Sequence, residues 1–253
     1  VRRVYVSSKV APFCSPLKIA QTARTRYTTS ALHSDNPDTM APKITYFPLS
    51  GRGELCFLCA AGGGVEVEIK RIGMGPHKEL GPSLDPPLPG TVPILQDGDL
   101  TLYQSMGIET YICNLSAKYK DLSPAEKAKD DMFSNFKEDL MQALAPYLFS
   151  KEGGAEAIPG ICAKMLPIAE GLCPASGFVN GKDFPTKADL AILLLYKGFM
   201  PYQAAAVMGK VDFAAYPKMA AIAAAAAEAD GIKEYIASDK CCLGANPLGL
   251  PEA

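Results

Sequence analysis

Residues 43–115 impose the strongest constraint on the fold, because strand and helix patterns alternate there in an order that few folds use. Two segments alternate apolar and polar side chains, and a helix-like segment between them ends at three consecutive glycines. A hairpin around Asp97-Gly98 then leads into another helix. The strands are predicted at 43–47, 65–72, 92–96 and 100–103, and the helices at 54–61 and 104–115. This order is typical of a thioredoxin-like unit, and the segment is too short for a doubly wound sheet.

The chain after residue 118 carries only helical patterns. A linker at 118–123 leads to a long helix that begins at Ser123-Pro124 and has an apolar stripe beside a polar one. Further helices are predicted near 158–172, 186–200, 217–229 and 231–237. We therefore predict an α/β thioredoxin-like domain at 41–118, an all-α domain at 122–238 and a tail at 239–253.

The first forty residues differ in composition from the rest of the chain. Residues 1–34 contain six Lys or Arg, nine Ser or Thr and no acidic residue, a composition typical of an organelle transit peptide. An inert basic tail, or a leader upstream of a start at Met40, fits equally well, so residues 1–40 are excluded from the predicted fold. We expect a cytoplasmic protein, or a plastid or mitochondrial one if this segment is a transit peptide.

The overall composition argues against several classes of protein. The 25 basic and 27 acidic residues give a net charge of −2, so no basic field indicates a nucleic-acid partner. The longest strongly apolar run, Leu190 to Tyr196, is far too short to span a membrane. Two histidines leave too few ligands for a Cys/His zinc site. Eight cysteines without paired spacing are typical of a reduced chain rather than a disulfide scaffold.

Five short motifs carry a family resemblance that covers about residues 42–238. They are Lys43-Ile44-Thr45-Tyr46-Phe47, Gly51-Arg52-Gly53-Glu54, Val92-Pro93-Ile94-Leu95, Leu100-Thr101-Leu102-Tyr103-Gln104-Ser105, and the Thr186/Asp189 pair at the start of an apolar helix. In order and spacing the chain resembles the cytosolic glutathione transferases, most closely the sigma class that includes the haematopoietic prostaglandin D synthases. The resemblance implies a thioredoxin-like domain followed by a helical domain, and a two-fold homodimer.

The resemblance gives Tyr46 the catalytic role, with its hydroxyl donating to the sulfur of glutathione. A thiol with a pKa of about 8.5 must lose roughly two units, about 2.7 kcal/mol, to be mostly thiolate at pH 7. One hydrogen bond to a charged group supplies about 1.5–3 kcal/mol, and Arg52 and the dipole of the first helix add to it. The alternative is that Tyr46 is an ordinary strand residue whose hydroxyl has a partner elsewhere.

The resemblance also implies how the rest of glutathione is held. Val92, before a cis-Pro93, would pair with the cysteinyl backbone, with Thr91 beside it, and Ser105 and Gln104 would receive the γ-glutamyl carboxylate. Asp139 would reach the γ-glutamyl amine in the partner subunit, or else be a solvated acid. Phe47 and Met141 would line the pocket for a hydrophobic electrophile. Some sigma members bind a divalent cation with three acids on this helix, but one of those positions is Asn135 here, so no metal is predicted.

The chain departs from the family pattern in the loop at 73–91. That loop is long and proline-rich, it has Lys78 as its only lysine, and the chain has no tryptophan, although the family usually uses Trp or Lys there for the glycine carboxylate. Three hypotheses follow. The protein is a glutathione transferase with glutathione as co-substrate and no other cofactor, a catalytically weak structural or ligand-binding relative, or a glutaredoxin-type oxidoreductase using Cys56 of the Cys56-Phe57-Leu58-Cys59 motif.

Overall fold

The computed structural model describes residues 40–149, 154–247 and 249. The predicted leader at 1–40 therefore lies outside the described residues, apart from Met40. The predicted tail at 239–253 is described only as far as residue 247 and at residue 249.

A four-stranded sheet with the order β2-β1-β3-β4 forms the first half of the described chain. Its strands are β1 (Lys43–Tyr46), β2 (Glu68–Arg71), β3 (Ile94–Asp97) and β4 (Leu100–Tyr103). The β1 strand is parallel to β2 and antiparallel to β3, which brings Ile44 opposite both Ile69 and Leu95. Ile44 and Leu95 are fully buried, so the alternation seen in the sequence points one side of the sheet into the core.

Three helices accompany the sheet: α1 (Glu54–Gly63), α2 (His77–Leu80) and α3 (Ser105–Leu115). The first ends as predicted at the glycine run, where Gly64 takes a left-handed conformation. Two predictions need correction. The strand predicted at 65–72 is paired only at 68–71, because it is a half-exposed edge strand, and the long loop at 73–91 contains the single-turn helix α2.

The second half of the chain is helical, as predicted, with α4 (Pro124–Phe149), α5 (Ile158–Leu172), α6 (Lys187–Lys197), α7 (Ala204–Gly209), α8 (Pro217–Ala227) and α9 (Ile232–Ala237). The helix predicted near 186–200 ends earlier, because Gly198 leaves the helical conformation and residues 199–203 form one wide turn. The sequence reading also missed α7. The ranges predicted for two domains stay a prediction, although their boundary falls in the connection between α3 and α4.

The start of α6 confirms the capping motif. Thr186 and Asp189 form a reciprocal capping box, in which the Asp189 carboxylate accepts from the Thr186 amide at 2.8 Å. The helix that follows is almost wholly buried and packs against both α4 and α8. In the described part of the chain, no single helix is long and apolar enough to cross a membrane. Among the described residues, α6 and residues 199–209 taken together have the length and composition of a membrane span, but the two are bent by 57° relative to each other.

Residues 240–243 fold back onto the first half of the chain. The Arg71 guanidinium donates to the Lys240 carbonyl at 2.6 Å, and the Cys242 amide donates to the buried Glu54 carboxylate at 3.1 Å. The Leu243 carbonyl accepts from the Phe199 amide at 2.7 Å. The part of the predicted tail that the structure describes is therefore tied to the sheet side and to the helical side.

Candidate active site

A cleft of about 560 Å³ opens where the end of β1, the start of β3 and the first turn of α3 face the middle of α4. The residues that line it are Phe47, Arg52, His77, Gly90, Thr91, Val92, Pro93, Gln104, Ser105, Met106, Glu138 and Gln142. The cleft thus brings together seven of the ten site residues that the sequence predicts. The other three, Tyr46, Asp139 and Met141, do not line it.

The Tyr46 side chain lies beneath the turn that leads into α1 and is only 4% exposed. Its hydroxyl oxygen accepts from the Arg52 amide at 2.8 Å. A Cβ at Gly53 would lie 2.3 Å from the Tyr46 ring, so the turn can cover the ring only with glycine there. Burial raises the pKa of Tyr46 to about 12, so the phenol is protonated at neutral pH and acts as a donor.

Arg52 connects this turn to α4. Its Nε and Nη2 lie 2.8 Å and 2.7 Å from Oε1 of Glu138, and Gln142 donates to the same oxygen at 3.0 Å. The other carboxylate oxygen, Oε2 of Glu138, is buried and accepts no hydrogen bond from the described residues. The cation that the resemblance places beside the thiol is therefore paired with Glu138, one oxygen of which is buried without a partner among the described residues.

Val92 and Pro93 are joined by a cis peptide bond, which confirms the prediction. Val92 lies just before β3 and outside the paired register of the sheet, so it can pair with an extended ligand. Gln104 has φ +74°, an uncommon conformation for a residue with a side chain, and directly precedes α3. Ser105 is the first residue of that helix, where free amides and the helix dipole favour a carboxylate.

The sequence reading missed His77, which comes from α2 at the edge of the cleft. Its Nδ1 accepts from the Gly75 amide at 3.1 Å, so in the neutral ring the hydrogen is on Nε2. The ring packs edge-to-face on Phe47 with 4.8 Å between centroids. Lys78, which the sequence singles out in this loop, is exposed and does not line the cleft. The signal that could have found His77 is its position after Pro76, where a helical turn begins.

Asp139 and Met141 lie elsewhere on α4. Asp139 is exposed and borders a different groove, between α4 and α5, together with Met132, Phe136, Ile168 and Leu172. Met141 is only 4% exposed and belongs to the hydrophobic core, so the expectation that it lines the second-substrate pocket is wrong for this cleft. Met106, at the start of α3, lines the cleft instead.

The Cys56-Phe57-Leu58-Cys59 motif lies inside α1, and both of its thiols are fully buried. Burial raises the pKa of each well above its ordinary value, so neither is a ready thiolate. This arrangement argues against the glutaredoxin-type hypothesis. No group of three or more His, Cys, Asp or Glu side chains that could hold a metal ion occurs among residues 40–149 and 154–247.

Several solved glutathione transferase structures share this architecture. The alignment with rat haematopoietic prostaglandin D synthase, solved with a quinoline, covers 78% of this chain and 96% of the rat chain, with a TM-score of 0.65 and 19% identity. The alignment with the glutathione transferase of Ascaris lumbricoides covers 78% of this chain and 97% of that one, with a TM-score of 0.61 and 25% identity. The alignment with a Caenorhabditis elegans glutathione transferase covers 78% of this chain and 98% of that one, with a TM-score of 0.62 and 26% identity. The chain has the glutathione transferase fold.

Curated sequences agree with the glutathione transferase fold over a shorter stretch. Chicken haematopoietic prostaglandin D synthase is 32% identical over 100 residues, which is 39% of this chain and 48% of that protein. Probable glutathione S-transferase 7 of Caenorhabditis elegans is 30% identical over 115 residues, or 45% and 53%. The chain thus spans about half the length of the curated relatives it matches, and no family model matches it. The resemblance to the cytosolic glutathione transferases is nevertheless confirmed by both comparisons.

Proposed function

We propose that this protein is a sigma-like glutathione transferase that activates the thiol of glutathione through the Tyr46 hydroxyl. The observation that carries the proposal is the state of that hydroxyl. Its oxygen accepts from the Arg52 amide, and its own hydrogen has no acceptor among the described residues. With a pKa near 12, the phenol keeps that hydrogen at neutral pH and can donate it to a thiolate that reaches the end of β1.

The cleft matches the parts of glutathione. The Val92 backbone pairs with the cysteinyl residue, and the start of α3 at Ser105 receives the γ-glutamyl carboxylate. The Nε2 hydrogen of His77 donates to the glycine carboxylate at the opposite edge, in the role for which the family usually has Trp or Lys. Thr91 and Gln104 flank these contacts, and Phe47 and Met106 give the electrophile an apolar wall.

The chemistry follows from the charge on sulfur. The thiol proton leaves to solvent, and the Tyr46 hydroxyl stabilises the remaining thiolate by about 1.5–3 kcal/mol, close to the 2.7 kcal/mol of a two-unit fall in pKa. The thiolate then attacks an electrophilic carbon, so a carbon–sulfur bond forms and the leaving group departs with its electron pair. With a hydroperoxide, the same thiolate attacks the outer oxygen, the O–O bond breaks, and the alkoxide that leaves takes a proton, which yields glutathione sulfenic acid and an alcohol.

We also propose a homodimer in which Asp139 of each subunit reaches the γ-glutamyl amine in the partner's cleft. Its exposure, and its place away from the cleft of its own chain, support this assignment. Light scattering is expected to show a dimer, and Asp139→Asn is expected to weaken glutathione binding severalfold. A monomer that binds glutathione normally contradicts this part of the proposal.

The second candidate is a glutathione-binding protein with little turnover. Two observations favour it: Tyr46 is covered by the 50–53 turn, and Arg52 is paired with Glu138. The two candidates differ in one measurable quantity, the pKa of the thiol of bound glutathione. A transferase lowers this pKa to about 6–7, whereas a binding protein leaves it near 8.5.

The test compares Tyr46→Phe with Tyr103→Phe, a matched control at a 39%-exposed tyrosine on β4. Calorimetry measures glutathione affinity, ultraviolet absorbance of the thiolate gives the thiol pKa, and conjugation of a chlorinated aromatic gives kcat. We expect Tyr46→Phe to raise the thiol pKa and cut kcat at least tenfold, with affinity little changed. His77→Ala is expected to weaken affinity but leave the thiol pKa unchanged. A wild-type thiol pKa near 8.5 supports the second candidate.

A further inference from the structure

The 50–53 turn, which covers Tyr46, is bonded to the helical half of the chain at a single residue. Ser50 is fully buried, and its hydroxyl donates to the Met200 carbonyl at 2.8 Å. The Met200 amide donates to Oγ of Ser50 at 2.8 Å, and the Gly51 amide donates to the Met200 carbonyl at 2.8 Å. The backbone of Met200 thus holds the start of the turn through both its amide and its carbonyl.

The same turn sets the surroundings of the Tyr46 hydroxyl. A Cβ at Gly51 would lie 2.3 Å from the hydroxyl oxygen, so the backbone of the turn lies directly against the phenol. The Arg52 amide, one residue later, donates to that oxygen at 2.8 Å. A small displacement of the turn therefore changes both the cover over the phenol and the hydrogen bond to its oxygen.

Met200 is itself held in place. It is 1% exposed, and the amide of the preceding residue, Phe199, donates to the Leu243 carbonyl at 2.7 Å. A buried amide that loses its acceptor costs more free energy than the hydrogen bond contributes when it is made. Without the Ser50 hydroxyl, the Met200 amide loses that acceptor, and the turn must move to let water or another group replace it.

We propose that Ser50 is a positioning residue, which fixes the 50–53 turn against Tyr46 and thereby holds the phenol hydroxyl where it can donate to a thiolate. This inference rests on the proposed role of Tyr46 in the transferase. Ser50 is not among the residues that line the cleft, so it acts on the sulfur only through Tyr46. Small errors in the placement of a catalytic group reduce the rate of the chemical step, so kcat should change more than the KM for glutathione.

The first test measures the cover over Tyr46 without glutathione, in Ser50→Ala and in the matched control Ser116→Ala. Ser116 is also buried, but at the opposite end of α1, where its hydroxyl donates to the Gly63 carbonyl at 2.9 Å. Tetranitromethane nitrates accessible tyrosines, and mass spectrometry of a digest locates them. We expect Tyr46 to be nitrated in Ser50→Ala but protected in the wild type and in Ser116→Ala. Tyr103, which is 39% exposed, should be nitrated in all three proteins.

The second test measures the pKa of the thiol of bound glutathione and the conjugation rate. We expect Ser50→Ala to raise the thiol pKa by about half a unit or more, which is a threefold or larger loss of thiolate near neutral pH. It should also lower kcat severalfold, with the KM for glutathione little changed. Ser116→Ala should leave all three quantities unchanged, and Ser50→Thr, which keeps the hydroxyl, should restore them.

Separate outcomes bear on Ser50 and on the transferase mechanism. Circular dichroism checks that each variant is folded, and Ser50→Cys, with a weaker hydrogen-bonding group of similar size, replaces Ser50→Ala if the alanine variant does not fold. Protection of Tyr46 in the folded Ser50 variant, or equal nitration of Tyr46 in the Ser50 and Ser116 variants, overturns the positioning role. A wild-type thiol pKa of about 8.5 contradicts the proposed function, and the nitration result still decides the role of Ser50.

Discussion

The ion pair between Glu109 on α3 and Lys137 on α4 should be the most damaging single contact to break in this fold. Both side chains are fully buried, with Nζ 3.2 Å from Oε1, and Ser134 donates to the other oxygen of Glu109. The Tyr202 hydroxyl donates to the Lys137 backbone carbonyl at 3.1 Å, so a side-chain substitution leaves that bond intact. The pair joins the helix that begins at Ser105 to the helix that carries Glu138.

The expected loss of stability follows from the charge of Glu109, which stays buried without a cation. Lys137→Met leaves the Glu109 carboxylate buried without its cation, which costs about 3–5 kcal/mol of unfolding free energy. For a chain of this size, about 2–4 °C of melting temperature corresponds to 1 kcal/mol, so we expect a fall of about 6–20 °C. Replacing both charges removes the buried charge altogether. Glu109→Gln combined with Lys137→Met should therefore be more stable than the sum of the single changes by at least about 2 kcal/mol.

The assay is urea unfolding of the wild type, both single variants and the double variant, read from the transition midpoint at constant slope. Lys233→Met is the matched control, since Lys233 and Glu228 form an ion pair of which both side chains are mostly exposed. We expect that control to leave the midpoint unchanged. Purely additive single changes, or a Lys137→Met variant as stable as the control, would refute the reasoning.

Two further predictions concern local geometry and titration. Gly53→Ala should destabilise the fold by about 1–3 kcal/mol and displace the Tyr46 ring, which would lower kcat. Gly107→Ala on α3 is the control, because the added methyl group meets open space and should not destabilise the fold. Equal effects in both variants would contradict this prediction. Burial raises the pKa of Asp189 to about 6 in the folded protein. Below its unfolded pKa of about 4 the carboxyl is protonated in both states, and its contribution to the free energy of unfolding is fully present. That contribution is lost as the pH rises through about 6, where the folded carboxyl ionises. The loss of stability in Asp189→Asn should therefore shrink by about 2–3 kcal/mol between pH 4 and pH 7, measured by urea unfolding, and growth of that loss with pH contradicts the assignment.

Local patterns predicted most elements of the fold. The alternation at Lys43–Tyr46, the glycine stop after α1 and the Thr186/Asp189 box each depend on residues close in the chain, so the sequence contains the whole signal. The elements that were missed are short. The turn His77–Leu80 and the helix Ala204–Gly209 have too few residues to show a period, and tertiary packing determines them.

For the candidate site, the sequence specifies residue types but not the positions of the side chains. Whether Tyr46 lines the cleft or lies beneath a turn depends on the backbone path around Gly51 and Gly53, which periodicity does not specify. Met141 was assigned to a pocket because α4 was read without knowing which neighbouring helix covers each face. A usable signal was overlooked at Lys137, a charged residue between Phe133 and Leu140 on the apolar stripe, where only a buried partner makes a cation tolerable.

The hydrogen bonds made by residues 240–243 have a practical consequence for protein engineering. A shortened variant that lacks them removes the acceptor opposite Arg71, uncovers the carboxylate of Glu54 and leaves the Phe199 amide without its carbonyl. Affinity tags and fluorescent reporters are therefore best attached through a spacer that leaves this return segment intact. Variants that end immediately after α9 should be more prone to aggregation, since both halves of the molecule lose the hydrogen bonds that residues 240–243 make to them.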